Sequence, residues 1–119
     1  RWTHAIGDAV LKAVANILVG EVRHTDLVAR YGGEEFVLVL VETGADAAAT
    51  VCEKVRAAIA GHDWSGIAPG LAITCSIGWC ADTTRPGPDA MLGAADTALY
   101  RAKAAGRNRV AGDRTAGQT

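Results

Sequence analysis

The stretch RYGGEEFVLVL, residues 30–40, joins a tight turn to a run of β-forming residues, and the rest of the chain can be interpreted around it. Glycine reaches positive φ without steric penalty, so Gly32 and Gly33 predict a turn. The continuously apolar and β-branched run FVLVLVE that begins at Phe36 predicts a central strand buried on both faces. Glu34 and Glu35 stand where the turn meets this strand, and two like charges at that place need an explanation.

Hydrophobic spacing on either side of this hairpin predicts three helices and three further strands. Helical periodicity covers residues 6–22, residues 45–60 with Gly61 at the end, and residues 89–106. Strands are predicted at residues 26–31, at the edge at 108–111, and at 71–80, where one face carries Leu71, Ile73, Cys75, Ile77 and Trp79. This order predicts an α+β fold, a two-layer sandwich with a mostly antiparallel central sheet flanked by helices.

Length and charge narrow the class of protein. The 119 residues, half of them apolar, are enough for one domain, predicted at residues 1–112, with a C-terminal tail at 113–119. A formal net charge of −1 does not indicate general binding to nucleic acid or to a membrane, and no apolar stretch approaches membrane-spanning length. The spacing of Cys52, Cys75 and Cys80 is typical of small buried groups in a reducing, cytoplasmic compartment.

Several polar residues have both a structural and a functional interpretation. Carboxylates on a rigid turn are suitable ligands for Mg²⁺, yet the local pattern of Glu34 and Glu35 alone is more typical of solvated turn residues. Lys103 and Arg107 stand four apart at the end of the last helix, a spacing that suits either a polyphosphate clamp or a simple complement to the helix dipole. Asp8 could accept two hydrogen bonds from guanine, with His4 near it, or could be an ordinary charge at a helix N-terminus.

Four motifs in the same order resemble those of the GGDEF domain, the family of diguanylate cyclases. These motifs are HAIGDAVL, the signature RYGGEEF, SIGWC, and ADTALYRAKAAGRNRV. The resemblance covers nearly the whole chain. It implies a fold of the nucleotidyl cyclase or palm-like (ferredoxin-like) kind. It also implies that two GTP molecules, held on the two domains of a homodimer, condense to cyclic di-GMP and two pyrophosphates with Mg²⁺ or Mn²⁺.

The resemblance assigns roles to individual residues. Glu34 would bind the metal and help to deprotonate the attacking hydroxyl, Arg30 would stabilise phosphate charge, and Glu35 belongs to the same catalytic signature. The implied substrate-binding residues are His4, Asp8, Gly33, Lys103 and Arg107. An upstream sensory or receiver domain is expected in the parent protein, and neither nucleic acid nor a membrane is expected as a partner of this domain.

A second site is implied by RHTD, residues 23–26, which matches the RxxD product-inhibition motif of the family. Arg23 and Asp26 would bind cyclic di-GMP, and either Lys54 or Arg56 would supply a further contact. This site leaves an alternative function open, a non-catalytic receptor for cyclic di-GMP. A structural interaction domain that binds no nucleotide is a third interpretation.

The chain departs from the family pattern at its beginning. The first strand of the family, which carries DxDxFKxxND with a metal-binding aspartate, is absent, and Thr3 replaces the usual glycine. We therefore expect a sheet that lacks its first strand, with no neighbour on one side of the Phe36 strand. We also expect this fragment to be weakly active or inactive, because one metal carboxylate is missing.

Overall fold

Helices and strands alternate along most of the chain. The computed structural model describes residues 4–21, 27–32, 35–40, 44–81, 84 and 86–113. The elements are α1 (His4–Glu21), β1 (Leu27–Gly32), β2 (Glu35–Val39), α2 (Ala45–Gly61), a short 3₁₀ helix (Trp64–Gly66), β3 (Ser76–Cys80), α3 (Pro88–Ala104) and β4 (Val110–Asp113). The predicted order of elements is confirmed, although β4 lies two residues beyond the edge strand predicted at 108–111.

The four strands form one mixed sheet in the order β1-β2-β3-β4. β1 runs antiparallel to β2, with Arg30 opposite Phe36. β2 and β3 run parallel, with Phe36 opposite Ile77, and β3 and β4 also run parallel, with Ile77 opposite Val110. The prediction of a mostly antiparallel sheet is therefore wrong. The reason is that α2 and α3 each return the chain to the same end of the sheet, so the following strand runs in the same direction.

Strand β2 is buried on both faces, as predicted, and its two faces pack into different cores. Phe36, Leu38 and Leu40 pack with α1 and α2, whereas Val37 and Val39 pack with α3. Helices therefore cover both faces of the sheet, and the predicted two-layer sandwich is corrected to three layers. Hydrogen-bonded neighbours, β1 and β3, flank β2 on both sides, so the missing neighbour that we expected is not observed.

The alternating pattern before and within β3 is confirmed. The core beneath α1 and α2 contains four residues of the predicted face, and a fifth packs against it: Ile73, Cys75, Ile77 and Trp79, with Leu71. The regular strand is shorter than the predicted 71–80, because β2 and β4 pair only with Ser76–Cys80. The three cysteines are buried, as expected. Among the described residues, no helix combines the length and the apolar character needed to cross a bilayer.

Helix α3 lies directly against β3 because residue 78 has no side chain. A Cβ atom at Gly78 would overlap the backbone of Ala95 and Leu99 in α3. In the neighbouring strand, a Cβ at Gly112 would overlap the indole ring of Trp79. Glycine at these two positions therefore sets how closely α3 and the Trp79 ring can approach the strands.

Replacement of Gly78 by alanine should destabilise the fold. Because the clash is with helix backbone, which cannot rotate away as a side chain can, we expect Gly78→Ala to lower the free energy of unfolding by about 3 kcal/mol. Urea denaturation followed by circular dichroism measures this change. Gly93→Ala is the matched control, since Gly93 is an exposed position in α3 where a Cβ meets nothing within 4 Å. It should stabilise the helix by about 0.5–1 kcal/mol. Equal stability of the two variants would contradict the packing argument.

Candidate active site

The start of β2 and the end of α3 meet at one corner of the sheet. The Glu35 carboxylate bridges two cations there, with Oε1 lying 3.2 Å from Lys103 Nζ and Oε2 lying 3.4 Å from Arg107 Nη1. These three residues are called the Glu35 cluster below. The side chains of Glu35 and Lys103 are 24% and 32% exposed, so the cluster is accessible from solvent.

The packing of the strands and helices explains why these residues converge. Glu35 pairs with Ser76 in the parallel ladder between β2 and β3, and α3 rests on β3 at Gly78. Lys103 lies in the last turn of α3, where a cation interacts favourably with the helix dipole. Because α3 crosses β3 so closely, its last turn reaches the end of the sheet at which β2 begins.

A turn that follows α3, rather than the helix itself, places Arg107 in the cluster. Lys103 and Arg107 were predicted to share one face of the last helix. This is wrong, because α3 ends at Ala104 and Arg107 lies beyond it. A turn with positive φ at three successive residues redirects the chain: 128° at Gly106, 63° at Arg107 and 46° at Asn108. The Arg107 amide donates to the carbonyl oxygen of Ala102 at 3.0 Å, which ties the turn to the end of the helix.

A cavity of about 440 Å³ borders the cluster. Its lining combines carboxylate, hydroxyl, aromatic and cationic groups from Glu35, Asp96, Thr97, Leu99, Tyr100 and Lys103. This volume lies within the range of about 300–1,000 Å³ that is typical of small-molecule sites. Sequence reasoning missed Asp96 and Tyr100, yet a signal was present, since positions 96, 100 and 103 share one helical face.

Two carboxylates of the cavity, Glu35 and Asp96, are the kind of oxygen ligand that Mg²⁺ binds. No group of three or more potential metal ligands occurs within the described parts of the chain. Magnesium commonly binds to one or two carboxylates and takes its other ligands from water and from substrate phosphates. The described donors therefore do not fit a site made from protein side chains alone, and a magnesium ion here would need further oxygen ligands from water and from a polyphosphate.

The other predicted site residues are distributed over the fold. Gly33 and Glu34 lie outside the described residues, immediately before Glu35 in the sequence, and Arg30 lies in β1 opposite Phe36. His4 and Asp8 are exposed on α1, which packs on the face of the sheet opposite α3. Asp8 lies one turn inside α1 rather than at its start, since the helix already includes His4.

The predicted product-inhibition residues are described only in part. Arg23 and Asp26 lie outside the described residues, and Lys54 is exposed on α2. Arg56 donates from Nε and Nη2 to the Glu53 carboxylate at 2.9 and 2.6 Å, and from Nη1 to Asn108 Oδ1 at 2.9 Å. The hydrogen bonds with Arg56 lower the pKa of Glu53, and the same bonds raise the pKa of Arg56.

The sequence of this chain is similar to those of known proteins. Diguanylate cyclase DgcP of Pseudomonas aeruginosa is 44% identical over 107 residues, which cover 90% of this chain and 16% of DgcP. The response regulator PleD of Caulobacter vibrioides is 43% identical over 114 residues, which cover 92% of this chain and 25% of PleD. The chain therefore corresponds to a small part of each of these longer proteins.

A solved structure and a family profile also match this chain. The crystal structure of the GGDEF domain of DgcB from Caulobacter crescentus, in complex with c-di-GMP, matches with a TM-score of 0.74 and 32% sequence identity. The match covers 93% of this chain and 67% of the DgcB chain. The family described as "Diguanylate cyclase, GGDEF domain" matches residues 1–109. This chain therefore belongs to the GGDEF domain family.

Proposed function

We propose that the parent protein is a diguanylate cyclase, which condenses two GTP molecules to cyclic di-GMP and two pyrophosphates. The observation that carries the proposal is the Glu35 cluster beside the cavity. Glu35 directly follows Gly33 and Glu34 of the signature, and its carboxylate pairs with the two cations of the cluster. The name of the relative diguanylate cyclase DgcP supports the same reaction, and the DgcB domain was solved with c-di-GMP, the product of the proposed reaction.

Lys103 and Arg107 are proposed to bind the β- and γ-phosphates. Both cations already converge on one carboxylate, so a triphosphate would meet two donors with little rearrangement of the protein. Charge-assisted hydrogen bonds from guanidinium and ammonium groups to phosphate oxygens are among the stronger ones in proteins. The cluster thus provides an anion site on the side of the sheet that faces α3.

Asp8 and His4 are proposed to contact guanine. Because α1 and α3 lie on opposite faces of the sheet, the nucleotide would extend across the end of the sheet, with its base towards α1 and its phosphates towards α3. The Asp8 carboxylate can accept hydrogen bonds from N1–H and from the exocyclic amine, which distinguishes guanine from adenine. This assignment rests on the family resemblance and on the exposure of both side chains.

The proposed chemistry is attack of the 3′-hydroxyl oxygen of one GTP on the α-phosphorus of the other. The new O–P bond forms as the bond to the bridging oxygen breaks, so pyrophosphate leaves, and Glu34 accepts the hydroxyl proton. A bound Mg²⁺ or Mn²⁺ ion would neutralise charge on the phosphates. Arg30 would add positive charge near the turn. Each domain holds one GTP, so the reaction requires two domains facing each other.

The proposal extends to the setting of the domain. The relatives DgcP and PleD are several times longer than this chain, which supports a parent protein with additional domains. A sensory or receiver domain is the partner proposed to control pairing of the two catalytic domains. GTP is available in the cytoplasm, which is therefore the compartment proposed for this domain.

Removal of the Glu34 charge tests the proposed base and metal ligand. In the full-length parent, Glu34→Gln should lower kcat for cyclic di-GMP synthesis by at least about 100-fold, because general-base catalysis typically contributes that much. Chromatographic assay of the product from GTP and Mg²⁺ measures the rate. Glu21→Gln, an exposed position at the end of α1, is the matched control and should retain full activity. Unchanged activity in a folded Glu34→Gln variant would refute the assignment.

Removal of the Lys103 charge tests the phosphate site. Lys103→Gln should raise KM for GTP by about 10- to 100-fold, since a hydrogen bond to a charged group contributes roughly 1.5–3 kcal/mol. Steady-state kinetics of the parent over a range of GTP concentrations measure the change. Lys12→Gln removes the same charge from an exposed site on α1 and should leave KM unaltered. Equal KM values for both variants would argue against phosphate binding by Lys103.

Binding of cyclic di-GMP is a second proposal, supported by the DgcB structure in complex with that molecule. We propose that Arg23 and Asp26 bind it, with Lys54 or Arg56 adjacent. Calorimetry on the parent should detect binding that Arg23→Ala weakens by at least about tenfold, because a fork of hydrogen bonds is lost. Binding without any turnover of GTP would favour a non-catalytic receptor, whereas absence of binding would remove the inhibitory site.

A further inference from the structure

The turn that carries Arg107 has a conformation that its sequence does not favour. Residues 106–108 all have positive φ, and two of them, Arg107 at 63° and Asn108 at 46°, are not glycine. L-residues other than asparagine, aspartate and glycine rarely adopt the left-handed region, because Cβ crowds the backbone. Asn108 tolerates it better than Arg107 does. Contacts from outside the turn therefore help to hold Arg107 in this geometry.

Arg56 supplies such a contact from a different helix. Its Nη1 donates to Asn108 Oδ1 at 2.9 Å, and so joins α2 to a residue 52 positions later in the chain. Within the turn, the Arg109 Nε donates to the Arg107 carbonyl oxygen at 3.1 Å. The side chain of Arg56 is 19% exposed, whereas its partners Glu53 and Asn108 are exposed, so these contacts fix geometry more than they add stability. Besides the backbone bond from Arg107 to Ala102 and the Arg107–Glu35 pair, the turn thus has one side-chain contact from α2 and one from Arg109.

Glu53 fixes the direction in which Arg56 points. Two parallel hydrogen bonds at 2.9 and 2.6 Å join the guanidinium edge to the carboxylate. This bidentate arrangement leaves Nη1 directed at Asn108. The lowered pKa of Glu53 and the raised pKa of Arg56 agree with this geometry, since the hydrogen bonds between the two side chains favour the charged form of each. Lysine could not replace Arg56, because an ammonium group has no planar fork.

We propose that Arg56 is a positioning residue for the nucleotide site: by holding Asn108, it keeps Arg107 directed at Glu35 and at an incoming triphosphate. The proposal rests on the proposed function, in which Arg107 binds phosphate. Arg56 itself contacts no nucleotide in this role. Its effect reaches the site through the backbone of Asn108 and Arg107, which are adjacent in sequence. This role differs from that of a product-inhibition contact, and the two have different consequences.

The structural part of the proposal can be measured without any nucleotide. In Arg56→Ala of the full-length parent, hydrogen exchange should accelerate at the Arg107 amide, whose bond to Ala102 closes the turn. Exchange in the middle of α3, around Ala95, should not change. Asn108→Gly removes the same contact from the other side without a Cβ penalty at the positive φ of residue 108, and it should give the same result even if Arg56→Ala folds poorly. Unchanged exchange at Arg107 in both variants would overturn the proposal.

The functional part of the proposal is tested by a double-mutant cycle in which KM for GTP is measured. Arg56→Ala should raise KM for GTP about tenfold with kcat within about twofold, and Arg56→Lys should not restore it. In an Arg107→Gln background, Arg56→Ala should have no further effect on KM, because its action passes through Arg107. Thr50→Ala, which removes another exposed side-chain hydrogen bond from α2, is the control that should leave KM unchanged.

The outcomes separate this proposal from the proposed function. Faster exchange at Arg107 together with a KM effect that disappears in the Arg107→Gln background supports the positioning role. Faster exchange in a parent that has no cyclase activity also supports it, and refutes only the proposed reaction. A KM effect that persists unchanged in the Arg107→Gln background overturns it. So does a loss of cyclic di-GMP binding in Arg56→Ala with normal exchange, which would identify Arg56 as a product-inhibition contact.

Discussion

The close approach of α3 to β3 at Gly78 is the constraint on which the site depends. Because a Cβ there would overlap the backbone of Ala95 and Leu99, glycine sets both the depth and the direction of the helix. Lys103 follows Leu99 by about one turn on the same helix and is therefore placed by the same contact. The parallel register between β2 and β3 then places Glu35 beside it. The close packing of α3 on the sheet thus determines where the ion cluster forms at the end of the sheet.

The parts of the fold that were predicted correctly are those with a local signal. Burial of the strand at Phe36, the alternation from Ile73 to Trp79 and the helical stripes all follow from periodicity over a few residues. Strand direction has no such local signal, since antiparallel and parallel pairing suit the same apolar run. The alternation of strands with helices of 17 residues did indicate parallel crossovers, and giving it more weight would have avoided the error.

The sequence predicted that Lys103 and Arg107 lie close together, but not the geometry that brings them together. Lys103 and Arg107 were identified correctly as neighbours, but helical spacing was the wrong reason, because the helix ends before Arg107. Gly106 signalled the end of the helix, whereas positive φ at Arg107 has no counterpart in the sequence. The hydrogen bond from Arg56 to Asn108 joins residues 52 positions apart, and no local pattern could reveal it.

The Glu35 cluster contributes orientation of its cations more than stability of the fold. The Glu35 carboxylate holds both cations at one place beside the cavity. Partly exposed ion pairs contribute little to the free energy of unfolding, since water and salt screen them. Under the proposed function, phosphate oxygens would replace the carboxylate as the partner of both cations. What the carboxylate provides is orientation, and Glu53 provides the same for Arg56, so both pairs fix where a cation points rather than how stably the chain folds.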